Sequence, residues 1–259
     1  MSNDILNISF VGSGNVATNM AKELFSKGLK INQVFSRNLE NAKHLASEVD
    51  AKGINNFNIL SECDLVIISV PDDAVESCLK NIPQNIPVVH TSGNTSLQER
   101  ENGLSGVFYP LQTFSKDTLA DWSNIPICIE SENEQFLKTL YQLGEKISST
   151  VKIITSENRK LIHLAAVFAC NFSNHMGAIS EKFMNENGME MELLNPLMSQ
   201  TFENTLKGNI SEKQTGPAKR EDFGTITSHL ELLQSEKTTK ELYLSISKHI
   251  MEFHDNTEL

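Results

Sequence analysis

Gly12-Ser13-Gly14-Asn15-Val16-Ala17 follows the apolar run Ile8-Ser9-Phe10-Val11 and opens a helical pattern that continues through Leu24. Few short stretches constrain a chain so strongly. A G-x-G-x-x-G/A sequence between a strand and a helix is the turn that receives a dinucleotide pyrophosphate. Gly12 permits the tight turn, Gly14 lets backbone approach the phosphates, and Ala17 is small enough to keep the helix against the sheet. The start of the helix supplies free N–H groups and the positive end of its dipole. The stretch from Ile8 to Arg37 therefore predicts a strand–helix–strand unit, with Gly12, Ser13, Gly14, Asn15 and Val16 as cofactor-binding residues.

The rest of the first half repeats this alternation. A helix is expected from Leu39 to Val49, and a short segment follows around Phe57–Leu60. Cys63–Pro71 holds a continuous apolar run, the signature of a strand buried on both faces of a parallel sheet. Pro71 and the acids after it open another helix. Strands are expected at 87–93, 106–114, 125–129 and 151–154, with a helix over 134–147. Strand and helix in alternation imply a doubly wound, mostly parallel sheet, hence an α/β fold class.

Near Ser156 the texture becomes purely helical. Helices are expected at 157–185, 192–206, 223–233 and 237–253, with the Gly216-Pro217 segment as loop. The chain thus divides into residues 1–155, a nucleotide-binding domain, and residues 156–259, an all-α domain. The stretch Leu161–Cys170 is apolar nearly all round, so it must be covered on most sides.

Composition excludes several function classes. At 39% hydrophobic and 21% charged residues the chain is globular. Its formal charge of −11 argues against general affinity for nucleic acid or anionic membrane. No apolar run approaches the ~20 residues of a membrane span. The chain enters strand residues almost at once, so no secretory signal is expected and the expected location is cytoplasmic. Cys63, Cys78, Cys128 and Cys170 are widely spaced with no C-x-x-C pair, which favours free thiols and no metal site.

An NAD-binding unit usually carries an acid at the end of its second strand, for the ribose 2′-hydroxyl. Here that position reads Val34-Phe35-Ser36-Arg37-Asn38. Ser36 and Arg37 can donate to a 2′-phosphate instead, so NADP(H) is the expected cofactor. Ligands of such sheets lie beyond the carboxyl ends of the strands, which selects Ser69, Val70 and Pro71, then His90, Thr91, Ser92 and Gly93. A second candidate region lies on the long helix. Asn174 follows His163 by eleven positions, about three turns, so the two share a face; Asn171 is offset by less than a quarter turn and His175 stands just beyond. Polar groups on so apolar a helix must be satisfied, and together they read as the lining of a cleft. His163 is the expected proton donor, since imidazole titrates near neutrality, and Asn171 would orient a carbonyl or carboxylate. Asn174, His175 and Arg220 are the expected substrate-binding residues, Arg220 as a clamp on an acid.

Three motifs carry a resemblance: His163 to Asn171, Thr215-Gly216-Pro217-Ala218-Lys219-Arg220-Glu221-Asp222, and His229-Leu230. On them the chain resembles a bacterial branch of Rossmann-like proteins with a C-terminal domain of unknown function. This branch is related to the pyrroline-carboxylate reductase, ketopantoate reductase and β-hydroxyacid dehydrogenase superfamily. The N-terminal half is similar to the NADP-binding domain named for deazaflavin-dependent NADP oxidoreductases. The resemblance implies a Rossmann domain followed by a helical domain of the 6-phosphogluconate-dehydrogenase-like type, a homodimer formed through that domain, and an NADP-linked oxidoreductase. The substrate class it implies is a small carbonyl or imine compound, keto acids included. Ketopantoate reductases and hydroxyacid dehydrogenases place a catalytic Lys before an Asn on the first long helix. No such pair stands here; His163 and Asn171 hold comparable ground, with Lys160 one turn earlier as the fallback donor. Two readings follow: a reductase in which His163 has replaced the lysine, or a non-catalytic NADP(H)-binding sensor or regulator.

Overall fold

In the computed structural model, which describes residues 7–255 except Asn102, Asp117 and Leu119, eight strands join one sheet. They are β1 (Asn7–Val11), β2 (Lys30–Phe35), β3 (Lys52–Ile54), β4 (Leu65–Ile68), β5 (Val88–His90), β6 (Ser105–Pro110), β7 (Ile127–Glu130) and β8 (Val151–Ile153). Their order is β3-β2-β1-β4-β5-β6-β7-β8, and β6–β7 is the antiparallel pair among otherwise parallel neighbours. The helices between them are α1 (Asn15–Ser26), α2 (Leu39–Glu48), α3 (Asp72–Lys80) and α4 (Glu134–Glu145).

Period-two alternation sorts the strands' side chains between two cores. On β4, Leu65 and Ile67 join one apolar cluster with Ile8, Phe10 and the buried face of α1. Val66 and Ile68 join the other with Val11, Val75 and Cys78. Each fully buried Ile or Leu contributes about 1.5–3 kcal/mol, which is why this continuous apolar run takes the middle of the sheet. The expected strand at 106–114 stops at Pro110; the Leu111 N–H still donates to Pro126 O at 2.9 Å, but Pro126 has no N–H to return the rung. β3 has no counterpart in the sequence reading; at three residues, Lys-Gly-Ile, it is too short to show a period.

From Ser156 the chain is helical: α5 (Ser156–Ala166), a π-helical turn (Val167–Phe172), α6 (Ser173–Glu186), α7 (Asn195–Leu206), α8 (Phe223–Leu232) and α9 (Lys237–Asp255). The single helix expected over 157–185 is therefore interrupted by a wide turn. By packing, the chain divides between Asn174 and His175, not at the change of texture near residue 155. The difference is the span of α5 and the π turn, which the first unit holds by a buried ion pair described below. Leu161, Leu164, Phe168 and Phe172 are exposed in the single chain, so the apolar middle of this helix lacks the expected cover.

In the second unit, Gly216 and Glu221 have positive φ, and Asp222 caps α8 by accepting from the Thr225 N–H at 3.0 Å and its hydroxyl at 2.7 Å. His229 Nδ1 lies 2.8 Å from the Tyr243 hydroxyl. Among the described residues no helix is long and apolar enough to cross a membrane, and no group of His, Cys, Asp and Glu could hold a metal ion.

Candidate active site

The carboxyl ends of β1 and β4 lie side by side, and the chain leaves them in opposite directions. A cleft of about 770 Å³ opens there, within the first unit. Its lining includes Gly12, Ser13, Gly14, Asn15, Val16, Ser36, Arg37, Ser69, Val70, Pro71, Thr91 and Ser92, the twelve positions expected to meet a cofactor.

Gly12 has φ +123°, and a Cβ built on it would lie 2.0 Å from the Ser69 carbonyl oxygen. The turn thus presses directly on the end of β4, where only glycine fits. Gly14 caps α1 without a side chain, and a Cβ there would meet nothing within 4 Å. Open space faces the N–H groups of the first helical turn, the surroundings that a pyrophosphate requires. Asn15 contributes backbone only, because its side chain donates to the Phe114 carbonyl at 2.9 Å. Buried Asn19 donates to Ser115 O at 2.6 Å and accepts from Ala120 N–H at 3.2 Å, so α1 fastens the segment after β6 over itself.

At the far end of the cleft, Ser13 Oγ donates to Ser36 Oγ at 3.0 Å and ties the turn to the end of β2. Arg37 is exposed and makes no ion pair among the described residues, while Asn38 beside it caps α2 by accepting from Glu40 N–H. A guanidinium with no carboxylate to neutralise it, next to a serine hydroxyl, suits a ribose 2′-phosphate. The donor set fits a phosphorylated dinucleotide.

The other end is formed by β5, β6 and α5. Thr91 Oγ1 donates to Ser69 Oγ at 3.0 Å, and Ser92 Oγ accepts the N–H groups of Asn94 and Thr95, folding the loop after β5. His90 lies behind that loop. Its Nδ1 accepts the Ser92 N–H at 3.2 Å, so its Nε2 is the donor to Ser96 O at 3.3 Å. Burial, with the Arg159 charge nearby, lowers its pKa to about 4, so it stays neutral and acts as a brace.

α5 reaches the cleft through an anchor that nothing in the sequence reading marked. Arg159 is fully buried and ion-paired with Glu130 at the end of β7. It also donates to Thr95 O, and to Ser156 Oγ at 3.2 Å; Glu130 in turn accepts the Ser156 N–H at 2.7 Å and its hydroxyl at 2.8 Å. One turn after Arg159, His163 enters the lining, and its Nδ1 lies 3.2 Å from the Tyr109 hydroxyl. A Cβ on Gly93 would come within 2.7 Å of that same nitrogen. Tyr109 and Gly93 are thus site residues; Tyr109 escaped notice because an aromatic residue in an apolar strand reads as core. Burial pushes the Tyr109 phenol up to about 12.

The π turn decides which further residues join. Residues in an i→i+5 turn advance by less than the ~100° of an α-helix, so the face drifts relative to a regular pitch. Asn171 and Cys170 are carried onto the lining beside His163, whereas Asn174, expected on that face, is absent from it and exposed. Lys160 is also absent from the lining; its ammonium donates to Ser96 Oγ at 3.0 Å. His175 and Arg220 belong to the second unit, where both are exposed.

Comparison with known proteins gives the following matches. Residues 7–91 match the family model described as NADP oxidoreductase, coenzyme F420-dependent, and residues 125–250 match that of a domain of unknown function, DUF2520. A Bacteroides fragilis protein classed with the NADP oxidoreductases is similar over 96% of this chain and 99% of its own, at 35% identity and a TM-score of 0.90. Protein TM1727 of Thermotoga maritima is similar over 97% of this chain and 100% of its own, at 24% identity and a TM-score of 0.69. An imine reductase of Myxococcus stipitatus, in complex with NADP+, shares the fold over 96% of this chain and 94% of its own, at 11% identity and a TM-score of 0.67. No curated protein matches the chain.

Proposed function

From the premise that this chain belongs to the family of NADP oxidoreductases that carry DUF2520, we propose that it is an NADPH-dependent reductase of a small carbonyl or imine compound. The observation that carries this reading is one continuous cleft. It joins the Gly12–Val16 turn, the Ser36–Arg37 pair and the His163 imidazole. The turn and the start of α1 hold the pyrophosphate, and Ser36 and Arg37 hold the 2′-phosphate. Ser69, Val70, Pro71, Thr91 and Ser92 bracket the nicotinamide half. When bound, the nicotinamide supplies the hydride. His163 gives the proton to the substrate oxygen or nitrogen as the hydride arrives at carbon, so a carbonyl leaves as an alcohol and an imine as an amine. Asn171 orients the reacting group from the π turn. Lys160, tied to Ser96, and Asn174, off the lining, take no part in the first unit's cleft.

A homodimer through the helical region belongs to the same reading. Phe168, at 62% exposure, stands in a row with Leu161 and Leu164, and the second unit exposes Leu193, Leu197 and Leu206. Covering such surface with a second copy stabilises it by roughly 25 cal/mol per Å² of apolar area. Sedimentation at the dimer mass is expected; a monomer mass would refute it.

The test of function is direct. NADPH binds with a change in its fluorescence and more tightly than NADH. Screening 2-keto acids, ketopantoate and cyclic imines finds saturable NADPH oxidation that His163→Gln abolishes while leaving NADPH affinity intact. Equal affinity for the two nucleotides refutes the cofactor half, and turnover unchanged in the variant removes His163 as the acid. NADPH binding with no turnover of any candidate would instead favour a nucleotide sensor.

A further inference from the structure

Resting on the reading of His163 as proton donor, we infer that Tyr109 is a positioning residue that holds His163 as the Nε2–H form. The Tyr109 hydroxyl and His163 Nδ1 are 3.2 Å apart, and either could in principle donate. Three observations assign the direction. His163 is the hydrogen-bond partner of the Tyr109 hydroxyl among the described residues. If Nδ1 carried the proton, the phenolic O–H would be left without a protein acceptor in a half-buried position, at a cost that a donated bond avoids. The phenol is also held in its protonated form by burial, so it has a proton to give at any working pH. Finally, Gly93 closes on the same edge of the ring, where even a methyl group would lie 2.7 Å from Nδ1 and 2.8 Å from Cγ. With Nδ1 occupied by Tyr109 and walled by Gly93, the ring's other nitrogen is the one left for the cleft.

The geometry therefore makes the nitrogen that faces the cleft a property of β6 and the loop after β5. The sequence of α5 does not set it. To give a proton from that nitrogen the ring first takes one up, its Nδ1–H then donating to the Tyr109 oxygen. The two rings meet edge to face, at 6.1 Å between centroids and 78° between planes, so a phenylalanine at 109 keeps the packing and removes only the donor. This makes Tyr109→Phe a clean perturbation.

The test reads His163 nitrogen resonances by two-bond proton–nitrogen correlation on the full 15N-labelled chain, without substrate, at a pH where the imidazole is neutral. Loss of the signals in His163→Gln assigns them. The expected wild-type spectrum is that of the Nε2–H form. In Tyr109→Phe the Nδ1 resonance moves and the Nδ1–H form becomes detectable. Gly93→Ala, which displaces the ring, moves both His163 resonances. A wild-type Nδ1–H form, or a Tyr109→Phe spectrum superimposable on wild type, overturns the inference. Because no turnover is measured, these outcomes are independent of whether His163→Gln abolishes reduction.

Discussion

Replacing Arg159 by leucine removes the group that fastens α5, and so His163, to the sheet. Arg159 is 0% exposed, and its partner Glu130 keeps 17% side-chain exposure. The variant leaves a carboxylate at the end of β7 that the Ser156 N–H and hydroxyl still contact but no cation balances. Breaking a buried pair from one side costs about 3–5 kcal/mol, most of it the stranded charge. At 2–4 °C per kcal/mol for a chain of this size, the melting temperature should fall by roughly 6–20 °C. Trp122 is the chain's one tryptophan, buried and stacked on Phe114 at 5.1 Å in the first unit, so its fluorescence follows the unit that contains the bridge. Arg159→Leu combined with Glu130→Gln, which keeps an acceptor for Ser156 without the charge, should recover at least half of the loss. A single-variant loss under about 1 kcal/mol, or a double variant no more stable than the single, would refute the stranded-charge account.

Three further outcomes are expected. Arg37→Ala should weaken NADPH about tenfold, as loss of an exposed charge-assisted contact does, and leave NADH unchanged; an equal loss for both would remove Arg37 from the 2′-phosphate. Gly12→Ala places a methyl group 2.0 Å from the Ser69 carbonyl oxygen at φ +123°, so NADPH binding should vanish and stability should fall by about 1–3 kcal/mol from backbone strain alone; titration by NADPH fluorescence with wild-type affinity would contradict it. His90, near 4 in the folded chain, takes up a proton near 6.5 on unfolding. The unfolded state thus binds more protons between pH 6.5 and 4, so stability is lost as pH falls through that window, by up to about 3 kcal/mol. In urea titrations across this range His90→Gln should show a shallower decline, and an identical one would refute the assignment.

Most of the sheet was legible because burial on two faces leaves long apolar runs, as at Leu65–Ile68, and because the glycine turn stands between recognisable neighbours. The nucleotide half of the site followed from the same logic, since strand ends mark where a ligand lies. What escaped had no local signature. Arg159 reads as an ordinary surface charge in Ser-Glu-Asn-Arg-Lys, and its partners Glu130 and Thr95 are distant in sequence. Tyr109 is distinguished only by a partner on another element. The face shared by His163 and Asn174 was drawn with regular pitch, which the turn at 167–172 does not keep.

That wide turn also stores chain. One residue more than an α-helix needs is held between Val167 and Phe172. Winding the segment back to regular pitch with Ala169 removed would leave Ser173 and Asn174 near their present azimuth, because six steps at about 100° cover the same rotation as seven in the wider turn. The helix thus holds an additional residue beside His163 without turning the residues that follow.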